Sequence, residues 1–116
     1  MVNETPKMPK DHRGYTLLRE RRVAEFNDLY ARGIIDNNLS GLDFRGSDLR
    51  GLNADGLNLS NSKFKQADLR GINFSTANLA GASLYGAKIS GCLFPESIGA
   101  QEIMMSVQYG TRLRVK

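Results

Sequence analysis

The residues with side chains suited to chemistry are few and widely spaced in this sequence. His12 is the single histidine and Cys92 the single cysteine of 116 residues. Asp48 and Asp68 lie twenty residues apart. Each is the third residue of a five-residue block in a repeat that spans residues 36–95. If twenty residues make one turn of a coil, their carboxylates lie about 5 Å apart, the spacing of neighbouring strands. Two carboxylates at that distance can act as an acid and base pair or bind a cation.

A structural interpretation of these residues is favoured over a catalytic one. Arg50 and Arg70 follow the two aspartates in the same blocks and would neutralise them. Cys92 falls at an inward position of the repeat, which is typical of a small hydrophobic residue. His12 lies far from it in sequence, and no Gly-Lys-Ser/Thr phosphate loop occurs. We therefore expect no catalytic residue, no cofactor and no metal, and a protein that is not an enzyme.

A period of five residues organises the chain over residues 36–95. The fourth residue of each block is apolar throughout, and Ala54 is the smallest of the twelve. A period of five matches neither a helix nor a strand, so it indicates a chain that turns repeatedly around one axis. The other eleven fourth-position residues form the predicted core: Leu39, Phe44, Leu49, Leu59, Phe64, Leu69, Phe74, Leu79, Leu84, Ile89 and Phe94.

Four blocks per coil would align side chains into columns. The predicted inward columns are Phe44, Phe64 and Leu84, and then Ala54, Phe74 and Phe94. Asn38, Asn58 and Asn78 would form an outward ladder whose amides can bond one another. The hydroxyls of Ser47 and Ser62 point inward in this register, so each is expected to bond a backbone carbonyl.

Two blocks resemble a known family. QADLR at 66–70 and TANLA at 76–80 closely match the A-(D/N)-L-x-x pattern of pentapeptide-repeat proteins. The resemblance implies an all-β solenoid, a right-handed quadrilateral β-helix of about three coils over residues 36–95. It also implies a short, non-acidic, bacterial-type member of that family.

The segment before the repeat is predicted to cover one open end of the solenoid. Residues 1–14 read as a flexible N-terminal arm, and residues 15–35 as a capping α-helix with Thr16 as its N-cap. The apolar stripe of this helix consists of Val23, Phe26, Leu29 and Tyr30. The alternative is that the stripe binds a partner.

Residues 96–116 are predicted to form a C-terminal cap and a basic tail. A short helix over 101–109 would end at Gly110, and the resemblance implies that it caps the coil. Its apolar face would hold Ile103, Met104 and Val107. The tail at 111–116 alternates basic and apolar residues, which suits either an edge strand or a disordered tail.

The net charge is +4, and no apolar run approaches membrane length, so we expect a cytoplasmic protein without membrane contact. Outward fifth positions supply a basic patch interleaved with aspartates. This candidate partner-binding face consists of Arg45, Arg50, Lys65, Arg70 and Tyr85. The competing interpretation is a solvated face that keeps the rod soluble.

Three functions compete. The preferred one is a protein-interaction scaffold or adaptor, because a rigid rod presents side chains at little ordering cost. The resemblance implies a second, a DNA mimic that interacts with gyrase and protects it, although such a rod is acidic and residues 36–95 hold six basic and five acidic side chains. The third is binding of nucleic acid or another polyanion, for which Tyr85 is the one aromatic residue in the patch. We expect an unknown protein as the partner, and the resemblance implies that Met104, Met105 and Val107 can form a homodimer contact at the C-terminal end.

Overall fold

The computed structural model describes residues 12–116, so most of the predicted arm at 1–14 lies outside the described residues. Three helices occur in this part of the chain: α1 (Arg13–Arg19), α2 (Val23–Ala31) and α3 (Ala100–Tyr109). None of them is long and apolar enough to cross a membrane. The repeat lies between α2 and α3.

The repeat coils back on itself every twenty residues. Isolated parallel β-bridges join Asn38 to Asn58 and Asn58 to Asn78, and further bridges with the same spacing lie on the other faces. Backbone bonds accompany them, such as Phe44 N to Lys63 O at 2.7 Å. Between His12 and Lys116 no continuous strand forms, because the chain turns again within each block. Successive coils are instead joined by single bridges, with four blocks in each coil.

Most blocks are joined to the next by a turn that is closed by a backbone bond between two inward residues. Ser47 N donates to Phe44 O at 3.0 Å, and Gly46 adopts φ +68° as the third residue of that turn. This left-handed conformation favours glycine, and Gly46 opens a block as every glycine of the repeat does. Asn61 and Gln66 adopt it without being glycine, with φ of 60° and 58°.

The Asp or Asn at the third position of a block serves a local bond. Asn58 Oδ1 accepts from Ser60 N at 3.1 Å, and Asn78 Oδ1 accepts from Ala80 N at 3.0 Å. A side-chain oxygen that accepts from the backbone two residues on is an Asx turn. The prediction that the stacked amides bond one another is thus wrong, because their oxygens are used within their own blocks.

The interior follows the predicted register. Of the twelve fourth-position residues, all are buried except Ile89 and Phe94, which are half-buried at the far end of the coil. Phe44 and Phe64 stack with ring centroids 5.4 Å apart and planes 9° from parallel. A second column holds Phe94, whose ring stacks on that of Phe74 at 5.9 Å. Both predicted aromatic columns are confirmed.

The two inward serines bond differently. Ser62 Oγ donates to Leu39 O at 2.7 Å, as predicted. Ser47 Oγ instead accepts from Arg19 Nη1 at 2.7 Å, because α1 passes over the block that carries it. The buried hydroxyl of Ser62 thus links the second coil to the first, and that of Ser47 links the first coil to α1.

The segment predicted as one helix over 15–35 contains two. Arg21 adopts φ +64° between α1 and α2, and this left-handed residue interrupts the helix. The N-cap is also different from the prediction, since His12 Nδ1 accepts from Tyr15 N at 3.2 Å. Thr16 therefore lies inside α1, and its N–H bonds His12 O at 2.9 Å.

Side chains of both helices bond backbone groups of the first coil. Tyr15 Oη donates to Asp43 O at 2.7 Å, and Tyr30 Oη donates to Asp55 O at 2.6 Å. The amide of Asn27 acts like a peptide group, donating to Gly51 O and accepting from Asn53 N, both at 2.9 Å. These bonds satisfy part of the edge that the first coil would otherwise present to solvent. The buried apolar side chains that α1 and α2 themselves contribute are Leu17, Leu18, Phe26 and Leu29.

Replacing Asn27 by alanine is expected to destabilise the fold by about 1–2 kcal/mol, because Gly51 O and Asn53 N both lose their partner. The midpoint of urea unfolding should fall with an unchanged slope. Asp28→Ala, at an exposed position of the same helix, controls for helix propensity. An Asn27→Ala midpoint no lower than that of this control would show that the amide does not pair with the coil.

At the other end, α3 and the tail lie along the third coil. Ser106 Oγ accepts from Leu84 N at 2.8 Å, and the tail bonds Gly81 N through Leu113 O at 2.7 Å. An antiparallel bridge joins Arg112 to Ser83. Of the two alternatives for the tail, the structure supports pairing along the last coil.

The apolar face of α3 differs from the predicted one at a single residue. Ile103 is buried and Val107 half-buried, whereas Met104 is 52 % exposed. Gly110 ends the helix in a left-handed conformation, as predicted. Met104 points away from the coil and remains available at the surface.

Candidate functional site

The predicted partner-binding face divides into two surfaces. All five of its residues are exposed. Arg50 and Arg70 form ion pairs with the aspartates of their own blocks, whereas Lys65 and Tyr85 line a groove beside the C-terminal tail. Arg45 lies one coil before Lys65 in the same column and pairs with Asp43 at 3.1 Å.

The first surface is a closed ion-pair cluster. Arg50 donates to both carboxylate oxygens of Asp48, at 2.9 and 2.7 Å, and Arg70 makes the same two contacts with Asp68. Arg50 Nε also lies 3.4 Å from Asp68 Oδ2, which links the two coils. Bidentate pairs of this kind leave few acceptor positions on the carboxylates for a cation or a substrate.

The arginines hold both carboxylates ionised. Hydrogen bonds from Arg70 lower the pKa of Asp68 to about 2, and those from Arg50 lower the pKa of Asp48 further. An acid and base pair working near neutrality needs one carboxyl with a raised pKa, and neither aspartate has one. Among residues 12–116 there is also no group of three or more His, Cys, Asp or Glu that could hold a metal ion.

This cluster predicts a dependence of stability on pH. Because the pKa of Asp68 is lower in the folded chain than its unfolded value of about 3.9, its stabilising effect is complete above about pH 4 and is lost as the pH falls towards about 2. An Asp68→Asn variant should therefore lose less stability over that window than the original chain. Chemical unfolding at a series of pH values measures the difference, and two parallel curves would contradict it.

Cys92 is a structural residue. Its thiol is half-buried and donates to Leu69 O at 2.9 Å. Burial raises the pKa of Cys92, so the thiol stays protonated near neutrality, whereas a nucleophile must be a thiolate.

The second surface is the groove, with a cavity volume of about 680 Å³. Lys63 and Lys65 line it from the second coil, and Ser83 and Tyr85 line it from the third. The end of α3 and the tail supply the opposite side through Tyr109 and Arg112. The groove therefore exists because the tail folds back along the last coil.

Local structure fixes the side chains of the groove. Lys63 and Lys65 flank the buried Phe64, so both project outward from the same face of the coil. Lys65 Nζ lies 5.9 Å from the centre of the Tyr85 ring, within range of a cation–π interaction. Arg112 is held by bonds to Gly81 O at 3.1 Å and to Asn61 Oδ1 at 2.5 Å.

The groove is cationic. Lys63, Lys65 and Arg112 form no ion pair within the part of the chain that the structure describes, and no acidic residue of that part lines the groove. Two tyrosines accompany them, with Tyr109 73 % exposed and Tyr85 43 % exposed. Exposed aromatic rings beside cations are typical of a binding surface.

Of the five cationic and aromatic side chains that line this groove, the sequence predicted two and three were missed. Lys65 and Tyr85 follow from the columns of the repeat. Lys63 occupies the third position of its block, where most blocks have Asp or Asn, and this departure could have identified it. Tyr109 and Arg112 lie beyond the repeat, where the five-residue period no longer predicts which face a residue joins.

Comparison with known proteins agrees with the geometry of the coil. The family model for pentapeptide repeats matches residues 35–66 and 58–94 with 8 copies, which together cover more than half of the chain. The chain belongs to the pentapeptide-repeat family. Pentapeptide-repeat proteins are generally non-enzymatic structural or interaction proteins. No curated protein and no solved structure matches the chain.

The match ends before the C-terminal cap of this pentapeptide-repeat protein. It includes Lys63, Lys65 and Tyr85, but Tyr109 and Arg112 lie outside it. One side of the groove therefore comes from the repeat itself and the other from the segment that follows it.

Proposed function

We propose that this pentapeptide-repeat protein is a non-enzymatic interaction scaffold whose binding surface for a protein partner is the groove. The repeat is a right-handed quadrilateral β-helix that serves as its rigid support. The observation that carries the proposal is the exposure of two tyrosines beside three cations that have no described ion-pair partner. Tyrosine and arginine are enriched among the residues that dominate binding energy at protein interfaces.

Rigidity supports the same function. The groove stands on stacked backbone bonds, such as Phe64 N to Ser83 O at 2.9 Å and Gln66 N to Tyr85 O at 2.8 Å. A backbone that is already held in this way loses little conformational entropy when a partner binds. The Arg50 and Arg70 surface is a weaker candidate, because a partner would have to compete with bidentate ion pairs that already exist.

The proposal is tested by affinity capture from an extract of the host, with the immobilised chain compared against a Tyr85→Ser, Tyr109→Ser variant. We expect a discrete protein to be retained by the original chain and lost by the variant. An Arg13→Glu, Arg32→Glu variant, changed at exposed positions outside the groove, should still retain it. Retention by both variants alike would contradict the groove as the binding surface, and no specific retention by any form would contradict a scaffold.

A further inference from the structure

We infer that the groove binds an acidic segment of the protein partner, a short stretch of extended chain rich in glutamate or aspartate. This inference rests on the proposed function and names the chemistry of the partner. Three positive side chains converge on one cavity, Lys63, Lys65 and Arg112. Charge complementarity of this kind selects partners and speeds their association.

The three cations remain available to carboxylates. Lys63 and Lys65 each carry an ammonium group that makes no ion pair among residues 12–116. Arg112 uses Nε and Nη2 to bond Gly81 O and Asn61 Oδ1, and these bonds fix the guanidinium without neutralising its charge. A partner carboxylate would therefore meet an oriented cation, which lowers the entropy lost on binding.

The tyrosines suit a peptide better than a nucleic acid. Lys65 Nζ lies within cation–π range of the Tyr85 ring. Gly110 packs against the same side chain so closely that a Cβ added to it would lie 3.4 Å from Tyr85 Cβ. Tyr85 is therefore partly covered. Tyr109 is then the one ring of the groove with most of its surface exposed. Single-stranded nucleic acids are held by successive aromatic platforms, and a single free ring does not supply them.

The surroundings of the groove also favour a short ligand. Asp43 forms a bridge with Lys63 and so stands one coil before it in the same column. The ion pairs of Asp48 and Asp68 lie on the next face. Arg45, Arg50 and Arg70 already pair with these carboxylates, so a long polyanion that continued past the groove in this direction would meet no further unpaired cation. A short acidic segment would stay among the cations of the groove.

The test is fluorescence anisotropy with three labelled probes: a short peptide of alternating glutamate and alanine, the same peptide with glutamine for glutamate, and an oligothymidylate of equal charge. The glutamate peptide should bind the full chain, with an affinity that falls as salt screens the charges. The glutamine peptide should not bind. A Lys63→Glu, Lys65→Glu variant should bind the glutamate peptide at least about tenfold more weakly, since repulsion replaces attraction at two positions.

Arg13→Glu, Arg32→Glu is the matched control, because it makes the same change in net charge outside the groove. The inference is overturned if the glutamate peptide fails to bind, if both variants weaken binding equally, or if the oligothymidylate binds as tightly as the peptide. The last result would assign the groove to nucleic acid. Specific capture of a host protein by the original chain would still support the scaffold in each case, so the two proposals can fail separately.

Discussion

Replacing Phe64 by alanine is expected to destabilise the fold by about 3–5 kcal/mol, among the largest losses for a single truncation in the coil. Phe64 is fully buried in the middle coil, and its ring stacks on that of Phe44. The backbone bonds of Phe64 N to Ser83 O and of Phe44 N to Lys63 O hold the coils at a fixed separation. The walls therefore cannot collapse into the space left by the ring, and a cavity remains.

Phe94→Ala is the matched comparison for this prediction. Phe94 occupies the same fourth position of its block, in the other aromatic column and at the far end of the coil. It is half-buried, so water can partly fill the space that its ring leaves. Urea unfolding of the two variants should therefore show the larger loss for Phe64→Ala. Equal losses, or a Phe64→Ala curve that overlays the original, would mean that Phe64 does not lie in a closed interior.

We expect chains that lack residues 1–35 to associate into species larger than the intact protein. The deletion uncovers Phe44, on which Tyr15 packs edge-on with ring centroids 5.3 Å apart. It also removes the side-chain bonds to the carbonyls of Asp43, Gly51 and Asp55. An apolar end with unpaired backbone groups is a template for association with another chain.

Light scattering coupled to gel filtration measures this outcome. Deletion of residues 1–11 is the control, because it leaves α1 and α2 in the chain. It should not change the number of chains in each particle. If the chain lacking residues 1–35 has the same association state as the intact protein and melts at the same temperature, the helices do not cap the coil.

The coil could be predicted from the sequence because its physics is periodic. An apolar residue at every fifth position, such as Phe44 and Phe64, can be buried in this way only if the chain turns by the same amount in each block. The break at Arg21 could not be predicted, since arginine is a good helix former and seldom adopts a positive φ. The contacts of α1 and α2 with the coil override the local preference of that residue.

The groove could be predicted only in part for a related reason. Lys65 and Tyr85 share a column of the repeat, so the period alone brings them together. Arg112 lies 51 residues from Asn61, yet the two side chains are hydrogen-bonded. That contact depends on the reversal of the chain at Gly110, whose left-handed conformation ends α3 and directs the tail along the third coil. A turn of this kind predicts where a helix ends but not where the following segment lies.

The most direct test of the groove is an NMR titration of the chain with the glutamate peptide. We expect the largest shift changes at the amides of Lys63 and Lys65, at those of Ser83 and Tyr85 one coil later, and at Arg112 in the tail. That pattern requires both the twenty-residue coil and the antiparallel pairing of the tail with Ser83. Changes centred on Arg50 and Arg70, or at Met104, would contradict the groove as the binding site.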